Sequence, residues 1–506
     1  MGEQRYVITL SIIAVIWMGL FLFCITTVGK YYIQHILLSD AINSSTSGSM
    51  VSEQVSSGIW DGNMNVNRFQ DYSSQYSIPT SSQPHYSFFY DPDTTEDEER
   101  AFDFRSVTWM EEYQSVKQLI QQSKPLDQDG FVKNLWEKSN GYSRIIASSS
   151  YAIVTNVCIN TKDEFITLHL DDERVLSDLL AKYGRKDFYY NTVRVLRTPL
   201  QQSKLVSTPL HLAILHPPSL SNRYQFLEGS SILSYIALHS ELFPSIHNLL
   251  LLGGSESDLS MFNQFMLDRM LSFFPSSERP QVISLDSSLL PSQSNVCDRW
   301  MVLIRDWQPE ADGRFFSTPL TAAMMRAAAY VYAHAYPNYQ ERKSVICSFP
   351  LRTQHRVIQN YNELKSELVS RIDPFVHLQS FRIEELTVDD QIRLFMYSDI
   401  LLAVYGSEMV NALFMLPKSA VIEIDPPFWE DDQYKQYVTS LGLNHFLLPT
   451  TGPLSKVCQK RPDSFECYTK GTRDQNLTVS TQDTMILLWR ARTVVLEQKY
   501  SMKLSL

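Results

Sequence analysis

The chain has 506 residues, room for roughly two to four domains, with a globular balance of 44% hydrophobic and 12% aromatic residues. Its formal net charge is −11 and no local basic patch interrupts it, which argues against a nucleic-acid partner. Part of that charge sits in Asp91 to Glu99, DPDTTEDEE, which reads as a solvated spacer.

Val7 to Val28 carries no charged residue and has about the length a helix needs to cross a bilayer. The rival reading is a cleaved signal peptide. Its apolar region would be shorter, and Thr27-Val28-Gly29 is a poor cleavage site. The pattern predicts a signal anchor: residues 1–6 as a cytosolic tail, 7–28 as the transmembrane helix and everything after it lumenal. Residues 29–101, rich in Ser, Asn, Gln and acidic residues, form the flexible stem of this reading. Asn43-Ser44-Ser45 and Asn476-Leu477-Thr478 are glycosylation sequons, meaningful only in a lumen. Cys24 lies in the anchor, while Cys158, Cys297, Cys347, Cys458 and Cys467 fall beyond it. Cys458 and Cys467, close together in a polar loop, are a candidate disulfide; the odd lumenal count leaves at least one thiol free or intermolecular. No spacing resembles a zinc site.

Folded structure is expected from about Phe102. Candidate strands are Arg144–Ser148, Ala152–Cys158, Phe165–Leu170, Leu210–His216, His247–Leu252, Val282–Leu285 and Met301–Ile304, with helical spacing over Asn222–Ser240 and Leu259–Phe274. This alternation predicts an α/β domain over residues 102–316. Ser317-Thr318-Pro319 starts a long helix to about Tyr336, placed to bridge two domains.

A second alternation follows over residues 317–483: strand Val345–Phe349, helix Tyr361–Arg371, strand Phe375–Leu378, helix Val388–Tyr397, strand Asp399–Val404. After Tyr405-Gly406-Ser407 comes helical spacing from Glu408 to Met415, then strand Ala420–Ile424, helix Gln433–Leu441 and strand Phe446–Leu448. In such βαβ units ligands sit beyond the carboxyl ends of the strands, where backbone N–H groups can hold a diphosphate and Gly406 lets the backbone come close. A terminal helix, part of residues 484–506, is expected to pack back on the first domain. Two α/β domains behind an anchor predict a GT-B-like architecture, two Rossmann-like domains facing a cleft.

Particular residues sharpen this. Pro350-Leu351-Arg352 is followed by Arg356-Val357-Ile358-Gln359-Asn360 and Glu363-Leu364. Then come Asp390-Gln391-Ile392-Arg393-Leu394-Phe395, Tyr405-Gly406-Ser407-Glu408-Met409-Val410-Asn411, Leu413-Phe414, Pro417 and Val421-Ile422-Glu423-Ile424-Asp425-Pro426. In order and spacing, residues Val345 to Leu448 resemble the glycosyltransferase 61 family. More faintly, Asn222-Arg223-Tyr224-Gln225-Phe226-Leu227-Glu228 resembles that family's Asn-x-x-His-Phe-x-x-Asp/Glu motif in the first domain. The chain departs from the pattern twice: Tyr405 stands where the family has a histidine before the glycine, and Gln225 where it has the histidine of the first motif.

The resemblance implies a nucleotide-sugar site made by Arg352, Arg356, Tyr405, Gly406, Ser407 and Glu423. The two arginines would hold phosphate oxygens and offset the charge of the departing nucleotide. Tyr405 can donate a hydrogen bond there but carries no charge. Glu423 would accept ribose hydroxyls. Asn411, Asn222 and Gln225 are expected to be structural. Glu228 is the candidate general base for an inverting transfer, with His211, His216 and His239 as spares. The Glu408 side chain is expected to point away, since it would repel a diphosphate.

No strand ends on the Asp-x-Asp of metal-dependent GT-A enzymes, so no metal and no cofactor is expected. The expectation is a metal-independent, inverting glycosyltransferase of the Golgi or endoplasmic-reticulum membrane. It would use a nucleotide sugar, UDP-GlcNAc above others, and a secretory glycoprotein or glycan acceptor. Two alternatives are a family-like binding protein with weak or no turnover, favoured by Tyr405 and Gln225, and an adhesion ectodomain without a nucleotide site.

Overall fold

The computed structural model describes residues 102–500 apart from 107, 123–127, 148–150, 172–192, 292–294, 305–315, 317–318, 338–343, 373, 428–432, 451–455, 461–466 and 468–473. The expected tail, anchor and stem, the Asn43 sequon and the Ser317-Thr318 helix start lie outside the described residues. Among the described residues no helix is long and apolar enough to cross a membrane.

After helices α1 (Trp109–Gln122) and α2 (Gln128–Glu137) the first half builds an eight-stranded sheet. Its strands are β1 (Ile145–Ala147), β2 (Tyr151–Asn160), β3 (Ile166–His169), β4 (Val193–Leu196), β5 (Leu212–Leu215), β6 (Asn248–Leu251), β7 (Gln281–Ile283) and β8 (Asn295–Ile304). They run in the order β4-β3-β2-β8-β5-β6-β7, with β1 beside β2. β8, β5, β6 and β7 are mutually parallel, the arrangement expected of a Rossmann-like half. The rest departs from it: β2 runs antiparallel to β1, β3 and β8. The β2–β8 pairing extends from Tyr151–Ile304 to Asn160–Asn295. A disulfide joins its directly opposed residues Cys158 and Cys297. Helices α3 (Arg223–Ser230), α4 (Ile232–Leu238) and α5 (Met261–Leu271) are interspersed, so Asn222–Ser240 is two short helices rather than one.

Helix α6 (Pro319–Tyr332) leads to a five-stranded, wholly parallel sheet. Its elements are β9 (Val345–Pro350), α7 (Tyr361–Ile372), β10 (Val376–Phe381), α8 (Val388–Tyr397), β11 (Ile400–Val404), β12 (Ala420–Asp425), α9 (Gln433–Ser440) and β13 (Asn444–Pro449). The strand order is β10-β9-β11-β12-β13. The chain therefore moves one way from β9 to β10, then returns across β9 to continue the other way from β11. Val345, Cys347, Phe349, Ile400, Leu402 and Val404 bury one face of this sheet against Leu364, Leu368 and Ile372 of α7. On the opposite face Leu401, Ala403 and Val421 share a core with α6, α8 and residues of the first sheet such as Ala213 and Val302. Strands buried on both faces explain the near-continuous apolar runs of the sequence.

The terminal helix α10 (Thr481–Gln498) corrects one expectation. It packs on β11, β12, β13 and α7 rather than on the first domain. Its stripe Leu488, Ala491, Val495, Leu496 completes the core of the second sheet. Just beyond it, the buried Lys499 Nζ donates to Asp399 Oδ1 at 2.8 Å and to Ser419 Oγ at 2.9 Å. Tyr500 donates its hydroxyl to the same Asp399 oxygen at 2.5 Å.

Candidate functional site

In the strand order of the second sheet, β9 and β11 are neighbours whose onward connections leave in opposite directions. That is the topological switch point at which open α/β sheets bind ligands. The two strands pair only at Cys347–Ile400 and Ser348–Leu401, yet β9 runs on to Pro350 and β11 to Val404. Both strands thus run on beyond their shared register, and the loops that follow them face each other. The loop after β9 carries Arg352 and Arg356; the loop after β11 carries Tyr405, Gly406 and Ser407.

Both arginines converge on one acceptor. The Tyr405 carbonyl takes Arg356 Nη1 at 2.5 Å and Arg352 Nη1 at 3.2 Å. The loop is bent to reach it by two consecutive residues in the left-handed region, His355 (φ 44°) and Arg356 (φ 58°). Such a conformation costs an L-residue about 1–2 kcal/mol, a strain that collects at functional loops. Gly406 leaves room for Arg352 to come close: a Cβ there would lie 2.0 Å from Arg352 Nη1 and 2.8 Å from Glu408 Oε2.

Glu408 departs from expectation. Its carboxylate turns toward Arg352, Oε2 lying 3.0 Å from Nη1, with the side chains 24% and 15% exposed. From the first half of the chain, Arg223 of α3 also reaches this region, donating from Nη1 to Gln391 Oε1 at 2.7 Å with its guanidinium 4.6 Å from the centre of the Phe262 ring. Burial pushes the Arg223 pKa down, and Glu408 and Glu384 partly offset that by favouring its charge. Tyr224 of the same helix packs edge-on to Tyr434 of α9 at 4.9 Å, and Tyr434 packs edge-on to Tyr405 at 5.0 Å. The Arg356 guanidinium lies 5.9 Å from the Tyr405 ring centre. Burial above all holds the Tyr434 hydroxyl protonated, its pKa well above the usual tyrosine value.

After Gly406 the chain forms a 3-10 helix, Ser407–Phe414, where the apolar spacing predicts an α-helix. The tighter winding is stabilised by side chains that serve its carbonyls. Asn411 Nδ2 donates to Glu408 O, Tyr437 to Val410 O, Arg326 Nε to Leu413 O and Tyr330 to Phe414 O. All four donors are buried. Asn411 thus braces this segment through the Glu408 carbonyl, together with Arg326, Tyr330 and Tyr437. Sequence reasoning missed these three, which fell inside apolar helical patterns.

Glu423 does not stand at the open edge. Its side chain is 1% exposed, and its Oε2 lies 2.6 Å from Nε2 of His445 on the adjacent β13. The ribose contact expected of it is thereby replaced by a buried carboxylate–imidazole pair that sequence reasoning also missed. Asn222 caps α3, its side chain accepting from the Gln225 backbone N–H at 3.1 Å. Gln225 and Glu228 are half-buried on that helix, and Glu228 lies one turn beyond Tyr224 on the same face. His211 and His247, just before β5 and β6, lie with their rings tilted to each other at 4.4 Å, and His211 packs against Trp300 of β8. Asp129, in the first turn of α2, accepts from Ser245 N and Oγ, a structural use of that carboxylate. Cys458 and Cys467 are joined by a disulfide, and Cys347 is a free buried thiol whose pKa burial pushes upward. Asn476 is exposed, its Oδ1 accepting from Val357 N at 3.2 Å. Among the described residues no group of three His, Cys, Asp or Glu side chains is placed to hold a metal ion.

Residues 261–422 match the family model Glycosyltransferase 61, so the resemblance carried by the motifs around Arg352 and Gly406 holds. An 88-residue stretch is 32% identical to Protein O-linked-mannose beta-1,4-N-acetylglucosaminyltransferase 2 of Mus musculus. That stretch covers 17% of this chain and only 15% of the mouse protein.

Proposed function

We propose that the chain is a glycosyltransferase that holds the diphosphate of a nucleotide sugar at the β9–β11 switch point, in a GT-B-like arrangement of its two sheets. The observation that carries this reading is the convergence of Arg352 and Arg356 on the loop at Gly406, where their forks can turn to phosphate oxygens. The match to the family model and to a mouse N-acetylglucosaminyltransferase supports it. UDP-GlcNAc is the donor we favour, with a glycoprotein or glycan hydroxyl as acceptor. The arginines would offset the charge that develops on the leaving diphosphate. Glu228 is the group we assign to take the proton as the hydroxyl attacks with inversion. We place the reaction in the lumen of the Golgi or endoplasmic reticulum.

A specific observation favours a second reading, a binding protein of low turnover: Glu408 already pairs with Arg352, and neutral Tyr405 occupies the family's histidine position. A thermal-shift and calorimetric series with UDP and UDP-GlcNAc, with and without EDTA, tests the proposal. UDP should raise the melting temperature, EDTA should leave that shift unchanged, and UDP-GlcNAc should be slowly hydrolysed or transferred. Binding without any turnover selects the second reading. Absence of nucleotide binding refutes both.

A further inference from the structure

The Arg352–Glu408 contact is an ion pair in which neither partner is well satisfied. Glu408 Oε2 is buried and 3.0 Å from Arg352 Nη1, but accepts no hydrogen bond of good geometry. Arg352 Nε is buried and has no acceptor. Buried polar groups are ordinarily hydrogen-bonded, and a partly buried ion pair with open valences recovers little of its desolvation cost. The guanidinium edge formed by Nε and an Nη is the fork that holds an oxyanion through two parallel bonds. Here Glu408 and the Tyr405 carbonyl both meet Nη1, which lies off that edge and leaves the Nε–Nη2 fork unused. The carboxylate oxygen stands directly over Gly406, 2.8 Å from the position a Cβ would take there. Arg352 Nη1 lies closer still, 2.0 Å from that position, so guanidinium and carboxylate meet in the space that the missing side chain leaves open. Arg223, arriving from the other half of the chain, is drawn electrostatically to the same carboxylate.

We propose that Glu408 is the affinity-determining residue of this site: its carboxylate stands in the place of a donor phosphate and must swing out before a nucleoside diphosphate can engage Arg352. The proposal rests on the reading of the switch-point loop as a diphosphate site. In the resting protein the carboxylate neutralises Arg352. A diphosphate displaces it and takes the Nε–Nη2 edge, which the carboxylate on Nη1 does not use. Glu408 thereby lowers affinity for every phosphate-bearing ligand in the same proportion and leaves uridine recognition untouched.

The test is calorimetric titration of UDP, inorganic pyrophosphate and uridine into the whole chain as wild type, Glu408→Gln, Glu408→Ala, Arg352→Ala and the Arg352→Ala/Glu408→Gln double variant. Melting curves confirm that each is folded. Both Glu408 variants should bind UDP and pyrophosphate about tenfold or more tightly than wild type, a difference of about 1.4 kcal/mol. Uridine binding should be unchanged. In the Arg352→Ala background the Glu408→Gln gain should largely vanish, because the competition has lost its object. Equal or weaker UDP binding by both Glu408 variants overturns the proposal while leaving the diphosphate site in place. A gain that is the same for uridine, or that survives in the Arg352→Ala background, overturns it as well. If neither wild type nor the Glu408 variants bind UDP or pyrophosphate, the site reading falls and takes this proposal with it.

Discussion

Gly406→Ala separates what the loop needs for folding from what it needs for a ligand. Gly406 has φ 162° and ψ 171°, an extended conformation that alanine adopts without backbone strain. The added methyl meets side-chain ends only: Arg352 Nη1 at 2.0 Å, Glu408 Oε2 at 2.8 Å and Arg352 Cζ at 3.1 Å. Arg352 must move, losing its 3.2 Å hydrogen bond to the Tyr405 carbonyl, worth about 0.5–1.5 kcal/mol. It also loses a partly exposed ion pair of about 0–1 kcal/mol. Reduced freedom of the unfolded chain returns about 0.4–1 kcal/mol. Folding stability, read by urea titration, should therefore fall by no more than about 2 kcal/mol. UDP affinity, read by calorimetry on the same preparation, should fall by about 1.5–3 kcal/mol, the range for a hydrogen bond to a charged group, or about tenfold to a hundredfold. Unchanged UDP affinity would show that Arg352 does not hold the phosphates. A stability loss well above 2 kcal/mol would show that the loop itself, rather than the arginine, requires the glycine.

Two further outcomes are expected. Arg356→Ala should weaken UDP binding by about 1.5–3 kcal/mol in the same calorimetric assay. An unaltered isotherm would show that Arg356 does not hold the phosphates. Lys499→Met should destabilise the fold by about 3–5 kcal/mol in urea titration, because it strands the buried Asp399 carboxylate. The double variant with Asp399→Asn should recover part of that loss, and no recovery would refute the pairing as its cause.

Much of the second half was legible in the linear chain. Ile400–Val404 and Ala420–Asp425 are apolar runs of strand length, and parallel strands covered on both faces leave that pattern. The closeness of Arg352, Arg356 and Gly406 to strand ends was legible too, and the fold brings both arginines to the Tyr405 carbonyl beside Gly406. The first half was harder. Strand β8 has ten residues, of which Met301–Ile304 alone read as strand, because Asn295, Asp298 and Arg299 break the apolar run. Its antiparallel partner β2 and the Cys158–Cys297 bridge are contacts between segments more than a hundred residues apart, and nothing local encodes them.

The sequence by itself determined the element types, the second α/β alternation and the arginine–glycine motif, since periodicity and loop chemistry are local properties. Tertiary structure decided which strand lies beside which, and hence that β9 and β11 diverge at a switch point. It decided that Glu408 turns in toward Arg352 and that Glu423 is engaged by His445. It also sent the terminal helix to the second sheet, through the buried Lys499–Asp399 pair. Each of these is set by which apolar faces and buried charges find partners across long sequence separations. Such a partner satisfies a group only once the chain has closed around it.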